Sequence, residues 1–99
     1  AELASKKIRV NAVMPGYIHT PMVDNMAKDS NPDNPESVIE GIASAVPLKR
    51  LATPEEIGEL VAFLGCSESS YITGQGIIID GGSTLPETTT DIKYNKSVV

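Results

Sequence analysis

Three consecutive isoleucines, Ile77-Ile78-Ile79, stand between Gly74-Gln75-Gly76 and Asp80-Gly81-Gly82. Side chains of a strand alternate between its two faces, so a run without a polar position needs apolar cover on both. Parallel sheets with helices on either side meet that need. The flanking glycines bound the run as turn residues, and the pattern predicts a buried strand over 77–80. A second strand is predicted over Ile8–Met14. There Ile8, Val10, Ala12 and Met14 alternate with Arg9, Asn11 and Val13, and Pro15-Gly16 makes the turn that stops it.

Helical patterns fill the rest. Leu3, Ala4 and Lys7 fit the last turns of a helix already under way. Thr20 is a candidate N-cap with Pro21 at the first helical position, and Met22, Val23, Met26 and Ala27 share one face. The polar run Lys28–Asn34 is expected to break this short helix. Asn34-Pro35-Glu36 starts another, with Val38, Ile39, Ile42 and Val46 at helical spacing, and Pro47 ends it. The stretch from Pro21 to Pro47 thus reads as an irregular helical excursion of a length that suits a lid or binding loop. The clearest helix follows. Thr53-Pro54-Glu55-Glu56 has the form of a capping box. Ile57, Leu60, Val61 and Leu64 make one apolar face, and Gly65 suits the C-terminal cap.

The order is helix, strand, long excursion, helix, strand. Two parallel strands joined through a helix form a βαβ crossover, expected to be right-handed. Two strands do not make a viable parallel sheet, so further strands are expected upstream. The absence of an initiating methionine and a helix in progress at Ala1 point the same way.

Bulk properties narrow the function. Ninety-nine residues suffice for one small domain. A net charge of -5 argues against nucleic acid or an anionic membrane as the main partner, because phosphate binding needs clustered cations. Lys6, Lys7 and Arg9 are read as a solvated helix end. The single cysteine, Cys66, excludes an intramolecular disulfide and a cysteine-cluster metal site, and fits a reducing, cytoplasmic compartment. No apolar run approaches the ~18 residues that cross a membrane, and no signal-peptide pattern is present. No metal site is expected.

Several chemistries can be looked for directly. No Gly-x-Gly-x-x-Gly opens a helix after a strand; Gly74-Gln75-Gly76 precedes its strand, the wrong order for a phosphate turn. His19 is the sole histidine, which leaves no Ser/His/Asp triad, and it reads as an ordinary surface residue. Cys66 follows a helix C-terminus, where the dipole disfavours a thiolate, and reads as a small packed or surface side chain.

The informative segment is Asn11–Pro21. On spacing alone it is a strand, a turn and a helix cap. A second reading starts from the place where parallel strands end, the edge of the sheet at which ligand crevices form. Pro15 stiffens the turn, and Gly16 would let a ligand ring approach the backbone. An extended Ile18 would offer its N–H and C=O to a planar amide, and the Thr20 hydroxyl, two residues on, points the same way.

The matching pieces Ile8-Arg9-Val10-Asn11-Ala12-Val13-x-Pro15-Gly16-x-Ile18-x-Thr20-Pro21-Met22, Pro47-Leu48-x-Arg50-x-Ala52-x-Pro54-Glu55-Glu56-Ile57 and Ser70-Tyr71-Ile72-Thr73-Gly74-Gln75-x-Ile77-x-Ile79-Asp80-Gly81-Gly82 occur in one order. Together they resemble the C-terminal portion of short-chain dehydrogenases/reductases over residues 1 to about 84. The resemblance implies an α/β fold, the last part of a doubly wound, parallel-sheet, Rossmann-like domain, with 85–99 as a polar tail. It implies that Pro15, Gly16, Ile18 and Thr20 hold the nicotinamide of NAD or NADP, with Ile18 and Thr20 on its carboxamide. Met22 would lie near the pyrophosphate. Met22–Val46, with Met22, Val23 and Met26, would form a mobile substrate loop. The Pro54–Leu64 helix and the Ile77–Asp80 strand would pack against another subunit of a homodimer or homotetramer. Gly74, Asp80 and Gly81 would be structural.

The departures from the family pattern bear on activity. The glycine-rich phosphate turn, the catalytic Ser, the helix Asn and the Tyr-x-x-x-Lys pair are missing here. Tyr17, Tyr71 and Tyr94 are followed four residues later by Pro21, Gln75 and Val98. The Tyr supplies a proton and the Lys lowers its pKa, so this chain alone is expected to be inactive. The resemblance implies that the complete protein interconverts an alcohol and a ketone, and the loop with Thr20–Asn25, Pro32 and Pro35 resembles that of members acting on small cyclic ones. A 3-oxoacyl-thioester reductase is the rival enzyme. A silent remnant that only mediates subunit association is the alternative of another class.

Overall fold

The computed structural model describes residues 1–85, and the expected 85–99 tail therefore falls, beyond Leu85, outside the described residues. Its frame is a two-stranded parallel sheet, β1 (Ala12–Pro15) and β2 (Gly76–Ile79). The register pairs Ala12 with Gly76, Val13 with Ile77, Met14 with Ile78 and Pro15 with Ile79. Three α-helices lie between the strands: α1 (Pro21–Ser30), α2 (Pro35–Ser44) and α3 (Pro54–Leu64). The α/β class and the parallel pairing match the sequence reading. Several boundaries do not.

Strand β1 begins at Ala12, four residues later than the predicted Ile8. Between residues 9 and 11 the neighbouring segment 72–75 is held by one backbone bond, from the Gly74 N–H to Val10 O at 2.8 Å, and otherwise by side chains. Thr73 Oγ1 accepts from the Val10 N–H at 3.1 Å. Asn11 Nδ2 donates to the Ile72 carbonyl at 3.0 Å, and Asn11 Oδ1 accepts from the Gln75 N–H at 3.0 Å. From Ala12, whose N–H donates to Gln75 O at 2.8 Å, the backbone pairing becomes regular. The expected helix at the start is a single 3₁₀ turn, Ala4–Lys6, closed by Lys7 in the left-handed region at φ 61°.

Arg9 is not part of a solvated helix end. It is half-buried, and its guanidinium donates to the carbonyls of Leu64 (2.8 Å), Ile72 (3.0 Å) and Cys66 (3.3 Å). A fixed cation at the C-terminus of α3 satisfies carbonyls that have no partner inside the helix and complements its dipole.

The excursion is more regular than its sequence suggests. It forms two ten-residue helices that pack on each other. Helix α1 runs through Lys28 and Asp29 to Ser30, because the Asn31 N–H still finds Ala27 O at 3.0 Å. Ala27 is fully buried, but Met22 is 79% exposed, so the predicted common face of α1 is divided. Helix α2 stops at Ser44, so Val46 does not continue it. Val46 is buried in the turn beyond. That turn rests on Gly81, which is left-handed at φ 65° and where an added Cβ would come within 2.8 Å of Val46 Cγ1. Glycine is therefore required there by backbone and by space.

Helix α3 has both halves of its capping box: Thr53 Oγ1 accepts from the Glu56 N–H at 3.2 Å, and Glu56 Oε1 accepts from the Thr53 N–H at 2.9 Å. Arg50 grips the same carboxylate with two parallel bonds of 2.7 and 2.8 Å. That fork, then the Thr53 N–H, lowers the Glu56 pKa to about 2.

The double cover expected of the isoleucine run is only partly supplied by the described residues. Ile77 and Ile79 are half-buried, while Ile78 is 51% exposed. Among the described hydrophobic residues Ala27, Val46 and Leu51 form the buried core. So small a core is set against about 1–2 kcal/mol of backbone entropy per ordered residue. The 99 residues expressed alone are therefore expected to show weak amide-exchange protection in both strands. Strong protection across Ala12–Pro15 and Gly76–Ile79 in a monomer would refute this.

Candidate functional site

The candidate site is built where β1 leaves β2. Pairing ends with the Gly16 N–H donating to Ile79 O at 3.0 Å. At Gly16 the two chains are in near contact: a Cβ there would lie 2.8 Å from Asp80 Cβ and 2.9 Å from Asp80 Cα. The missing side chain thus has a partner within the fold itself. It lets Pro15-Gly16 lie against the turn after β2.

Asp80 holds that turn together. Its carboxylate accepts from the Gly82 N–H at 2.9 Å and the Thr84 N–H at 3.1 Å. Partial burial pushes its pKa upward, but donors from Gly82, Thr84 and Ser83 outweigh this and keep it below the usual aspartate value. Asp80 is thus committed to structure.

Beyond Gly16 the chain changes partner. Ile18 forms an isolated parallel bridge with Ala52. Ala52 donates to Tyr17 O at 2.9 Å, and the His19 N–H donates to Ala52 O at 2.8 Å. In a parallel bridge the bonds belong to the flanking residues, so the N–H and C=O of Ile18 point away from Ala52. Neither has a partner among the described residues, though Ile18 is half-buried. A free donor and acceptor on one residue match what a carboxamide requires.

Thr20 follows in extended conformation, φ -121° and ψ 165°. Its Oγ1 accepts from the Val23 N–H at 3.4 Å and so caps α1 as predicted. That bond uses one lone pair of the hydroxyl, and its proton has no partner among the described residues. Pro21 has no N–H, and the Met22 N–H has no partner among the described residues, so the start of α1 offers one free donor. Met22 and Met26 are exposed, and Val23 is half-buried. A small recess lined by Tyr17, Leu48, Arg50, Ala52, Ile79 and Asp80 adjoins the bridge. Neither Ile18 nor Thr20 lines it, so it is not where a carboxamide would meet them.

Asp80 is structural, as expected, but its contact with Gly16 and the part played by Ala52 were not legible in the sequence. Both residues lie in the motifs, but their function is to shape the backbone of residues more than thirty positions away, which leaves no local signal. Among the described residues no group of three or more His, Cys, Asp or Glu side chains is placed to hold a metal, and no helix is long and apolar enough to cross a membrane.

A family model described as enoyl-(acyl carrier protein) reductase matches residues 1–84. The chain belongs to the short-chain dehydrogenase/reductase family. It is 59% identical over 87 residues to the oxidoreductase UcpA of Escherichia coli (strain K12), covering 88% of this chain and 33% of that protein. It is 48% identical over 84 residues to the 3-oxoacyl-acyl-carrier-protein reductase FabG of Thermotoga maritima, covering 85% of this chain and 31% of that protein. The solved structure of L-sorbose reductase from Gluconobacter frateurii, complexed with NADPH and L-sorbose, superposes with a TM-score of 0.81 at 31% identity, covering 87% of this chain and 34% of that one. The chain thus spans about a third of the length of these relatives. Its two parallel strands are part of the family's Rossmann-like sheet.

The geometry at Gly16 yields a test. In the whole protein, Gly16→Ala is expected to destabilise by about 1–3 kcal/mol, the range for forcing atoms into a packed site. Denaturant unfolding measures it. An unchanged midpoint would show that the contact with Asp80 relaxes freely.

Proposed function

We propose that the protein containing this chain interconverts an alcohol and a ketone with NAD or NADP, and that this segment binds the nicotinamide end. The observation that carries the reading is the free N–H and C=O of Ile18, set two residues before the Thr20 hydroxyl on an extended chain. A carboxamide has one acceptor oxygen and two donor hydrogens, and these three protein groups complement it. When bound, the nicotinamide supplies or accepts the hydride. The chain's own part is to orient the ring. Ile18 and Thr20 fix its carboxamide, and Pro15 and Gly16 set the backbone against which it lies. The free Met22 N–H at the start of α1 suits a pyrophosphate oxygen, because helix N-termini favour anions. The proton for the carbonyl oxygen is assigned to residues outside this chain, since none of its tyrosines has a lysine four positions on.

The substrate is read as a small ketone or alcohol, with a small cyclic one preferred and a 3-oxoacyl thioester as the second candidate. The 48% identity to a 3-oxoacyl reductase supports the second. The exposed Met22 and Met26 with Val23 support an apolar contact to either. We place the protein in the cytoplasm as a homodimer or homotetramer. Val61 (53%) and Phe63 (41%) on α3, and Ile78 on β2, are exposed apolar residues that suit such contacts. Nucleic acid and membranes are not proposed as partners.

Two outcomes follow. In the whole protein, Thr20→Val is expected to weaken NADH or NADPH binding by about 1 kcal/mol for the lost hydrogen bond. It also costs stability on the order of 1 kcal/mol for the lost cap. Thr20→Ser keeps the hydroxyl and is expected to retain both. Fluorescence titration of the reduced cofactors measures the affinity, and equal values for the unaltered protein and the Thr20→Val variant would remove the carboxamide role. Separately, Met26→Gln is expected to change the ratio of kcat/KM between cyclohexanone and an acetoacetyl thioester by about tenfold, the scale of an apolar pocket contact. A constant ratio in steady-state kinetics would count against a substrate loop.

A further inference from the structure

His19 interrupts the segment that carries Ile18 and Thr20, and its side chain is occupied. Its Nε2 lies 2.6 Å from Asp24 Oδ1, in the first turn of α1. Both side chains are about half exposed, at 46% and 47%. We infer that the His19–Asp24 pair is a latch that fixes helix α1 to the nicotinamide-binding segment, which makes both of them positioning residues. The inference rests on the functional reading above and extends it to how that site is held closed.

Three polar contacts tie α1 to the residues before it. Thr20 Oγ1 caps the Val23 N–H at 3.4 Å, and Thr20 O accepts from the Asp24 N–H at 3.1 Å. Both are local to the cap and turn with the helix. The third joins Asp24 to His19, whose own N–H is anchored to Ala52 O at 2.8 Å. It is the shortest of the three and the one that reaches a residue bonded to Ala52. Helix α1 also packs against α2, whose following turn is held at Gly81. Without the latch the first turn of α1 is joined to the segment before it only through Thr20. With it, Ile18, Thr20 and Met22 keep one relative geometry.

The chemistry suits a light catch. An imidazole Nε2–H that donates to the Asp24 carboxylate makes a charge-assisted hydrogen bond. Asp24 also sits favourably in the first turn of its helix. An exposed pair of this kind shifts an equilibrium about twofold to fivefold. Cofactor affinity falls by the same factor as the competent population.

The test uses the whole protein carrying His19→Ala, Asp24→Ala, the double change, or His19→Gln, with NADH and NADPH as probes. Amide exchange in the first turn of α1 is expected to quicken about twofold to fivefold in both single variants, while β1 and α3 are unchanged. The dissociation constant of the reduced cofactor is expected to rise by a similar factor, with the effect on KM and not on kcat. The double variant is expected to be no worse than either single one. His19→Gln, which keeps a donor, is expected to restore most of the loss. Unchanged α1 exchange and affinity in the single variants would overturn the latch, as would fully additive effects. If the unaltered protein bound neither cofactor, the nicotinamide reading would fall and the latch with it. Cofactor binding that is sensitive to Thr20→Val but indifferent to His19→Ala would overturn the latch alone.

Discussion

The structure depends on the parallel pairing of Ala12–Pro15 with Gly76–Ile79, and on how that pairing ends. Parallel ladders bond each residue through its neighbours, so a strand needs a partner chain along its length. Here the partner changes twice. Before Ala12 the ladder gives way to one backbone bond, Gly74 N–H to Val10 O, and the side chains of Arg9, Asn11 and Thr73. After Gly16 the partner strand is replaced by Ala52. The second change matters for function. It holds Tyr17 and His19 by their backbones and leaves the peptide groups of Ile18 turned outward.

Ala52 can play that part because the residues on either side of it are hydrogen-bonded in place. Thr53 begins the capping box of α3, and Glu56 is shared between the Thr53 N–H and the Arg50 fork. Ala52 is therefore bracketed by residues whose positions are set by one carboxylate. The Pro47-Leu48 turn leading to it rests on the glycines after β2, and the Leu48 N–H donates to Gly81 O at 3.1 Å. A turn at the end of one strand thus positions the chain that pairs with the extension of the other.

Much of this is legible in the sequence, for local reasons. The capping box at Thr53 and the cap at Thr20 depend on residues within one helical turn, and both form as expected. The turn glycines are readable because left-handed backbone favours a residue without a Cβ. The differences share a cause of the opposite kind. Alternation continues through Ile8 and Val10 and so overextends strand β1, although side chains do most of the pairing there. Arg9 looks solvated in sequence because its carbonyl partners lie 55 to 63 positions away. The excursion looks irregular because its polar stretch hides the end of a helix that α2 packs against.

By itself the sequence determined the α/β class, the parallel strands, the helix starts and the family. These follow from periodicity, capping chemistry and motif order, all carried by residues near one another in the chain. Only the tertiary structure decided which groups at the candidate site are free and which are spent. Gly16 faces Asp80, Arg9 closes the end of α3, and Ile18 keeps its N–H and C=O because Ala52 binds its neighbours instead. A backbone hydrogen bond has no signature in the side chain of the residue that makes it. Its partner is set by where distant segments meet, and that is known only once the chain is folded.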